Sequence, residues 1–110
     1  MGQKGAKLTP EATALADTLV DKLATLGDVS SRKMFGGYGI FESGSMFALV
    51  TSDGIAHLKV NDTNRARFEE AGSERFGRMP YYEIPSSVLK NTRSLRNWAR
   101  ESLAAAKSPK

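Results

Sequence analysis

The sequence predicts an α+β domain, two layers deep, with helices lying against one antiparallel sheet. Three observations carry this. Apolar residues recur at helical spacing directly after Thr9-Pro10-Glu11. Between Ser31 and Val60, strand-like runs are separated only by short Gly, Ser and Asp turns, and such turns join antiparallel neighbours. The helical period then returns after Asn91. The resulting order is helix, antiparallel strand meander, helix, strand, helix.

Thr9 is placed as an N-cap, Pro10 suits the first helical position, and Glu11 lies near the positive end of the dipole. Ala12, Leu15, Ala16, Leu19, Val20 and Leu23 form one apolar face, and Gly27 suits the position after the end, so the first helix spans about 10–26. Asp17 and Asp21 lie off that face and read as a solvated side. Strands follow over 31–35 and 38–42, with Gly36-Gly37 as the bend. Ser43-Gly44-Ser45 turns into a third strand over 46–51, and Ser52-Asp53-Gly54 turns into a fourth over 55–60. Gly36, Gly37 and Gly39 are expected to let the first two strands cross tightly under the first helix.

The third strand, Met46-Phe47-Ala48-Leu49-Val50, is apolar on both faces. One face can meet the first helix. The other needs cover, from a second copy of the chain through Phe47 or Leu49 or from a later helix, and a homodimer is the expectation. In the fourth strand Ala56, Leu58 and Val60 point inward, leaving His57 and Lys59 outward. Asn61 or Asp62 is expected to cap a short helix over 63–71 anchored by Phe68 and Ala71, with an Arg65–Glu69 pair and Gly72 as its stop. A fifth strand spans 79–84, where Pro80 suits a start or an edge, and Pro85 ends it before a helical turn at 86–90. Asn91 or Thr92 caps the last helix, whose stripe is Leu95, Trp98, Ala99 and Leu103.

The chain reads as one domain over 9–106, between a basic tail at 1–8 and a short tail at 107–110. Its net charge of +4 comes from Lys4, Lys7, Lys107 and Lys110; the body between holds 12 cations against 12 acids. The charge therefore argues for solubilising ends more than for a nucleic-acid surface. Only Arg93, Arg96 and Arg100, three and four apart on the last helix, make a basic stripe, and no aromatics interleave with it to stack bases. No apolar run approaches the roughly 20 residues that span a bilayer, and the basic start lacks the apolar core of a signal peptide. With no cysteine either, the expectation is a cytoplasmic protein.

Catalytic chemistry lacks a constellation. The single histidine, His57, excludes histidine-rich metal sites, lies mid-strand, and reads as a surface or interface residue. The glycine cluster opens a strand, whereas phosphate-binding loops open a helix. Tyr81, Tyr82, Arg78 and Arg32 could line a small anion pocket, though nothing in their spacing singles it out.

The sequence resembles the N-terminal domain of the TfoX/Sxy family, bacterial regulators associated with natural competence. The resemblance is carried, in order, by Arg32-Lys33-Met34-Phe35-Gly36-Gly37-Tyr38-Gly39, Met46-Phe47-Ala48-Leu49, His57-Leu58-Lys59-Val60, 68–73, Met79-Pro80-Tyr81-Tyr82, Ile84-Pro85 and Leu95-Arg96-Asn97-Trp98-Ala99. It implies a secretion-chaperone-like α+β fold and a non-enzymatic role in transcriptional co-regulation of DNA-uptake genes, with no catalytic residue, cofactor or metal. Its signature falls on Met34, Phe35, Gly36, Gly37, Gly39, Pro80, Tyr81 and Trp98, which read as structural, and on Arg32. Full-length relatives carry a second, helical domain that the stretch up to Lys110 does not match, and many have a longer loop than the short 76–79 connection here. The expected function is thus a protein-interaction domain, with Arg32, Lys33, Phe47 and Leu49 as partner contacts. The alternatives are nucleic-acid binding through Arg93, Arg96 and Arg100, or a small-ligand module.

Overall fold

The computed structural model describes residues 9–34 and 36–108. Helix α1 (Pro10–Leu23), extended by a 3-10 turn at Ala24–Leu26, leads into strands β1 (Val29–Met34), β2 (Gly37–Glu42), β3 (Ser45–Val50) and β4 (Ala56–Lys59). Helix α2 (Arg65–Glu70), strand β5 (Tyr81–Glu83), helix α3 (Ser86–Leu89) and helix α4 (Thr92–Lys107) complete the chain. The strands lie in the order β1-β2-β3-β4-β5, every neighbour antiparallel. The α+β class and the element order are those the sequence predicts. The tail at 1–8, Phe35 and the last two residues lie outside the described residues.

Helices α1 and α4 pack on the same face of the sheet, α1 over β1 to β3 and α4 over β3 and β4. Leu19, Leu23, Leu95 and Ala99 meet Ile40, Ala48, Val50 and Leu58 in one core. Local chemistry fixes the helix starts. The Thr9 hydroxyl accepts from the Ala12 N–H at 3.2 Å and donates to the Ser52 carbonyl at 2.9 Å, so the cap also ties α1 to the β3–β4 turn. At α4, Asn91 Oδ1 accepts from the Ser94 N–H at 3.0 Å.

Strand β3 does not need a partner subunit to cover it. Between the pairs Ile40↔Ala48 and Phe41↔Met46 the register shifts, leaving Phe47 as an extra residue in a bulge. The bulge lets two successive side chains, Phe47 and Ala48, both join the helix-side core. Phe47 is 0% exposed and Leu49, on the other face beside Gly39 and His57, is 1% exposed. The expectation that these two meet a partner is corrected: one chain buries both, Phe47 beneath the later helix α4 and Leu49 on the opposite face.

Four smaller expectations also change. Helix α2 is shorter than 63–71, because Asn64 spends its side chain elsewhere: it accepts from the Asn61 N–H at 2.8 Å and donates to the Lys59 carbonyl at 3.1 Å. Arg65 pairs with Asp62 at 2.7 Å rather than with Glu69, and Ala71 is exposed, so Phe68 alone anchors α2, edge-on to Trp98 at 4.8 Å. His57 is 5% exposed, because 74–76 folds back along β5 and sets the Phe76 ring 5.2 Å from the imidazole.

Candidate functional site

Strand β1 is one edge of the sheet, and its central residues Ser30, Ser31, Arg32 and Lys33 are all exposed. Strand alternation sends Arg32 and Met34 to the face away from the helices, where register places Gly39 and Phe41 of β2 and Met46 of β3. The Arg32 guanidinium lies 4.8 Å over the Phe41 ring. Met34, Phe41 and Met46 are each partly exposed, and a Cβ on Gly39 would fall 2.5 Å from the Met34 sulfur and 2.9 Å from the Met46 sulfur. Gly39 thus lets two thioethers close over the strand. Lys33 projects on the helix side of the same edge, opposite Tyr38, whose hydroxyl is bound 3.0 Å from that of Thr13 on α1. Neither Arg32 nor Lys33 has an ion pair among the described residues.

One member of the basic stripe of α4 is spent inside the fold. Arg96 Nε donates to the Lys22 carbonyl at 2.7 Å, satisfying an orphan acceptor in the last turn of α1. Arg100 reaches Asn97 Oδ1 at 3.3 Å, and Arg93 is exposed. Lys107 is the last residue of α4, not part of a free tail, and its Nζ meets Glu42 Oε1 at 2.7 Å. That carboxylate, only 11% exposed, also accepts from the Asp28 N–H at 3.1 Å and the Ser43 hydroxyl at 2.9 Å. Lys107, then the Asp28 N–H, then the Ser43 hydroxyl hold Glu42 down at about 2. Nothing in the sequence around Glu42 announced this junction, since its partners come from α4 and from two turns.

An open groove of about 620 Å³ lies at the other end of the sheet, lined by Asp53, Ile55, His57, Glu74, Phe76 and Glu83 among others. His57 Nδ1 donates to the Ile55 carbonyl at 3.1 Å, which leaves Nε2 as the acceptor nitrogen of a neutral ring. Burial pulls its pKa below 6.5, against the upward pull of the Ile55 carbonyl, Glu83 and Asp53. No group of three or more His, Asp or Glu residues that would hold a metal occurs among the described residues.

The anion pocket of Tyr81, Tyr82, Arg78 and Arg32 does not form. Tyr81 and Tyr82 point to opposite faces of β5, Tyr82 toward Phe68 and Tyr81 toward Met46, whose carbonyl accepts from its hydroxyl at 3.2 Å. Burial pushes the Tyr81 hydroxyl up to about 12. Arg32 sits four strands away, roughly 19 Å at the usual strand spacing.

The profile of the TfoX N-terminal domain matches residues 21–106, from the end of α1 to the last turn of α4. The chain belongs to the TfoX N-terminal domain family. It is 32% identical over 101 residues to the DNA transformation protein TfoX1 of Aliivibrio fischeri (strain ATCC 700601 / ES114), a match covering 84% of this chain and 48% of that protein. The chain thus spans about half the length of the curated relative it matches. In this TfoX N-terminal domain several of the signature residues that the structure describes serve the sheet. Gly37 lies against β3, where a Cβ would fall 2.0 Å from the Val50 carbonyl oxygen, and Gly36 turns at φ +75°. Gly37 and Gly39 therefore relieve contacts within the sheet rather than beneath α1. Pro80, lacking an N–H, accepts from the Val60 N–H at 2.8 Å at the start of β5. Trp98 packs on Phe68 under the Arg67 guanidinium, 4.6 Å from its ring, while Arg67 pairs with Glu101 at 3.0 Å.

Proposed function

We propose that this TfoX N-terminal domain is a non-enzymatic regulatory module of the bacterial cytoplasm. It acts by binding a protein partner in the control of DNA-uptake genes, and its contact surface is the β1 edge around Arg32 and Lys33. Family membership supplies the regulatory part of this reading, and the name of the related DNA transformation protein points the same way. One observation carries the choice of surface: two exposed cations without acid partners among the described residues stand on an edge strand beside the half-buried Met34, Phe41 and Met46. On α4, by contrast, Arg96 is bound to a carbonyl and Lys107 to a carboxylate. No helix among the described residues is long and apolar enough to cross a membrane, and the lack of cysteine fits a reducing compartment. Self-association through Phe47 and Leu49 forms no part of the proposal, because both are interior.

The experiment replaces the chromosomal gene by an Arg32→Glu/Lys33→Glu variant whose folding is verified by its melting curve. Transcripts of the DNA-uptake genes should change to the level seen on deleting the gene. Unchanged transcripts in the double variant, with a clear effect of deletion, would move the contact surface elsewhere. No effect of the deletion itself would end the regulatory reading.

A further inference from the structure

We propose that the β1 edge takes an extended segment of an acidic protein partner as an additional strand, paired through the main chain of Ser31 and Lys33. This rests on the protein-interaction reading above and specifies how the partner is held.

The two edges of the sheet are treated differently. At β5, Phe76 N–H donates to the Tyr81 carbonyl at 2.8 Å and Glu83 N–H to the Glu74 carbonyl at 2.9 Å, so residues 74–76 occupy that edge. Pro80 beside it has no N–H to offer. At β1 no such cover exists among the described residues, and the orientation of its free groups follows from the ladder. The Ser43 N–H donates to the Asp28 carbonyl at 3.1 Å, which makes Asp28 and Ser43 a hydrogen-bonded pair. By alternation Ser30, Arg32 and Met34 are bonded to β2, whereas Ser31 and Lys33 turn their N–H and C=O out of the sheet. Val29, the third outward residue, already donates its N–H to the Gly27 carbonyl at 3.1 Å. The open edge thus presents two residues' worth of main-chain donors and acceptors, the pattern strand addition uses.

Charge selects the occupant. Arg32 and Lys33 are adjacent in sequence and project from opposite faces of the edge, so an incoming strand meets a cation on each side. Lysine on an edge disfavours apolar or basic strands. An acidic strand meets no such penalty. Two copies of β1 paired with each other would gather four cations and no acid, and the register centred on Arg32 would set that residue directly opposite itself. An antiparallel partner is therefore expected to place an apolar residue opposite Met34, then two successive acids opposite Lys33 and Arg32.

The test titrates the isotopically labelled chain with the capped peptide TVEETTVT, with TVKKTTVT as control, and follows backbone amides by NMR. The Ser31 and Lys33 amides should shift and saturate with the acidic peptide and stay put with the basic one. Ser31→Pro removes one outward N–H and no bond to β2, and should weaken binding about tenfold while preserving the melting temperature. Arg32→Glu/Lys33→Glu should exchange the preference, binding TVKKTTVT instead, which keeps the test decisive if Ser31→Pro fails to fold. No shift on β1 at millimolar acidic peptide overturns the proposal. Equal binding by wild type and folded Ser31→Pro also overturns strand pairing, yet leaves the partner-contact reading standing. Shifts of Ser31 and Lys33 on concentrating the chain alone, with a doubled mass in sedimentation, assign the edge to a second copy and overturn it as well. Transcript levels in the double charge variant report on the regulatory reading independently of all three.

Discussion

A Cβ on Gly37 would lie 2.0 Å from the Val50 carbonyl oxygen and 2.9 Å from the Thr51 carbonyl carbon, both backbone atoms that cannot rotate away. Gly37→Val must therefore part β2 from β3, and is expected to cost about 3 kcal/mol or more, read from the urea midpoint. Arg32→Ala, on an exposed side chain, should stay within about 0.5 kcal/mol in the same measurement. Two titrating residues set the acid limit. Glu42 sits at about 2 in the fold against an ordinary 4.5, so its stabilisation is complete above 4.5 and is lost as pH falls toward 2. His57 is also lowered, from 6.5, so protonating it opposes folding and stability declines as pH drops below 6.5. Melting temperature should thus fall in two stages on acidification. His57→Gln should flatten the first stage, and Lys107→Ala should shrink the second.

Among the elements, α2 depends on contacts from outside itself. Helix α2 is six residues long, below the length at which a helix stands alone, and rests on Phe68. Phe68→Ala removes the ring shared by Trp98 and Tyr82 and should cost about 3–5 kcal/mol in chemical denaturation. The periodicity of α1 and α4 was legible in the sequence because their stripes are long and capped by Thr9 and Asn91. The start of α2 was less so: Asn61 Oδ1 accepts from the Thr63 N–H at 2.9 Å, as a cap does, but Asn64 directly before Arg65 caps nothing and donates to the Lys59 carbonyl. The β3 bulge was equally invisible, since Met46 to Val50 reads as a continuous apolar run in any register.

At the scale of the whole molecule, the neutral body and the committed cations argue against a nucleic-acid surface. Arg93 and Arg100 are the remainder of the α4 stripe once Arg96 and Lys107 are bound internally. A duplex DNA titration is expected to show no saturable complex at micromolar protein even near 50 mM salt. A complex that weakens steeply toward 200 mM and is abolished by Arg93→Ala/Arg100→Ala would reverse this expectation. The open β1 edge and the groove beneath His57 lie at different ends of the sheet, so effects at one should leave the other unchanged.

By itself the sequence determined what depends on neighbours along the chain. That covers the α+β order, the caps of α1 and α4, the turns at Ser43-Gly44 and Gly54, and the motif order that marks the family. Only the tertiary structure decided which side chains are left for contact. Sequence alone leaves Phe47, Leu49 and His57 open to contact; in the fold all three are buried, Phe47 through the bulge beneath α4 and His57 beside the returning Phe76. Glu42 and Lys107 meet across 65 positions of sequence, a pairing no local pattern encodes. Strand alternation tells a sequence reader which residues share a face. What covers that face, and which edge stays open, depends on packing between segments distant along the chain.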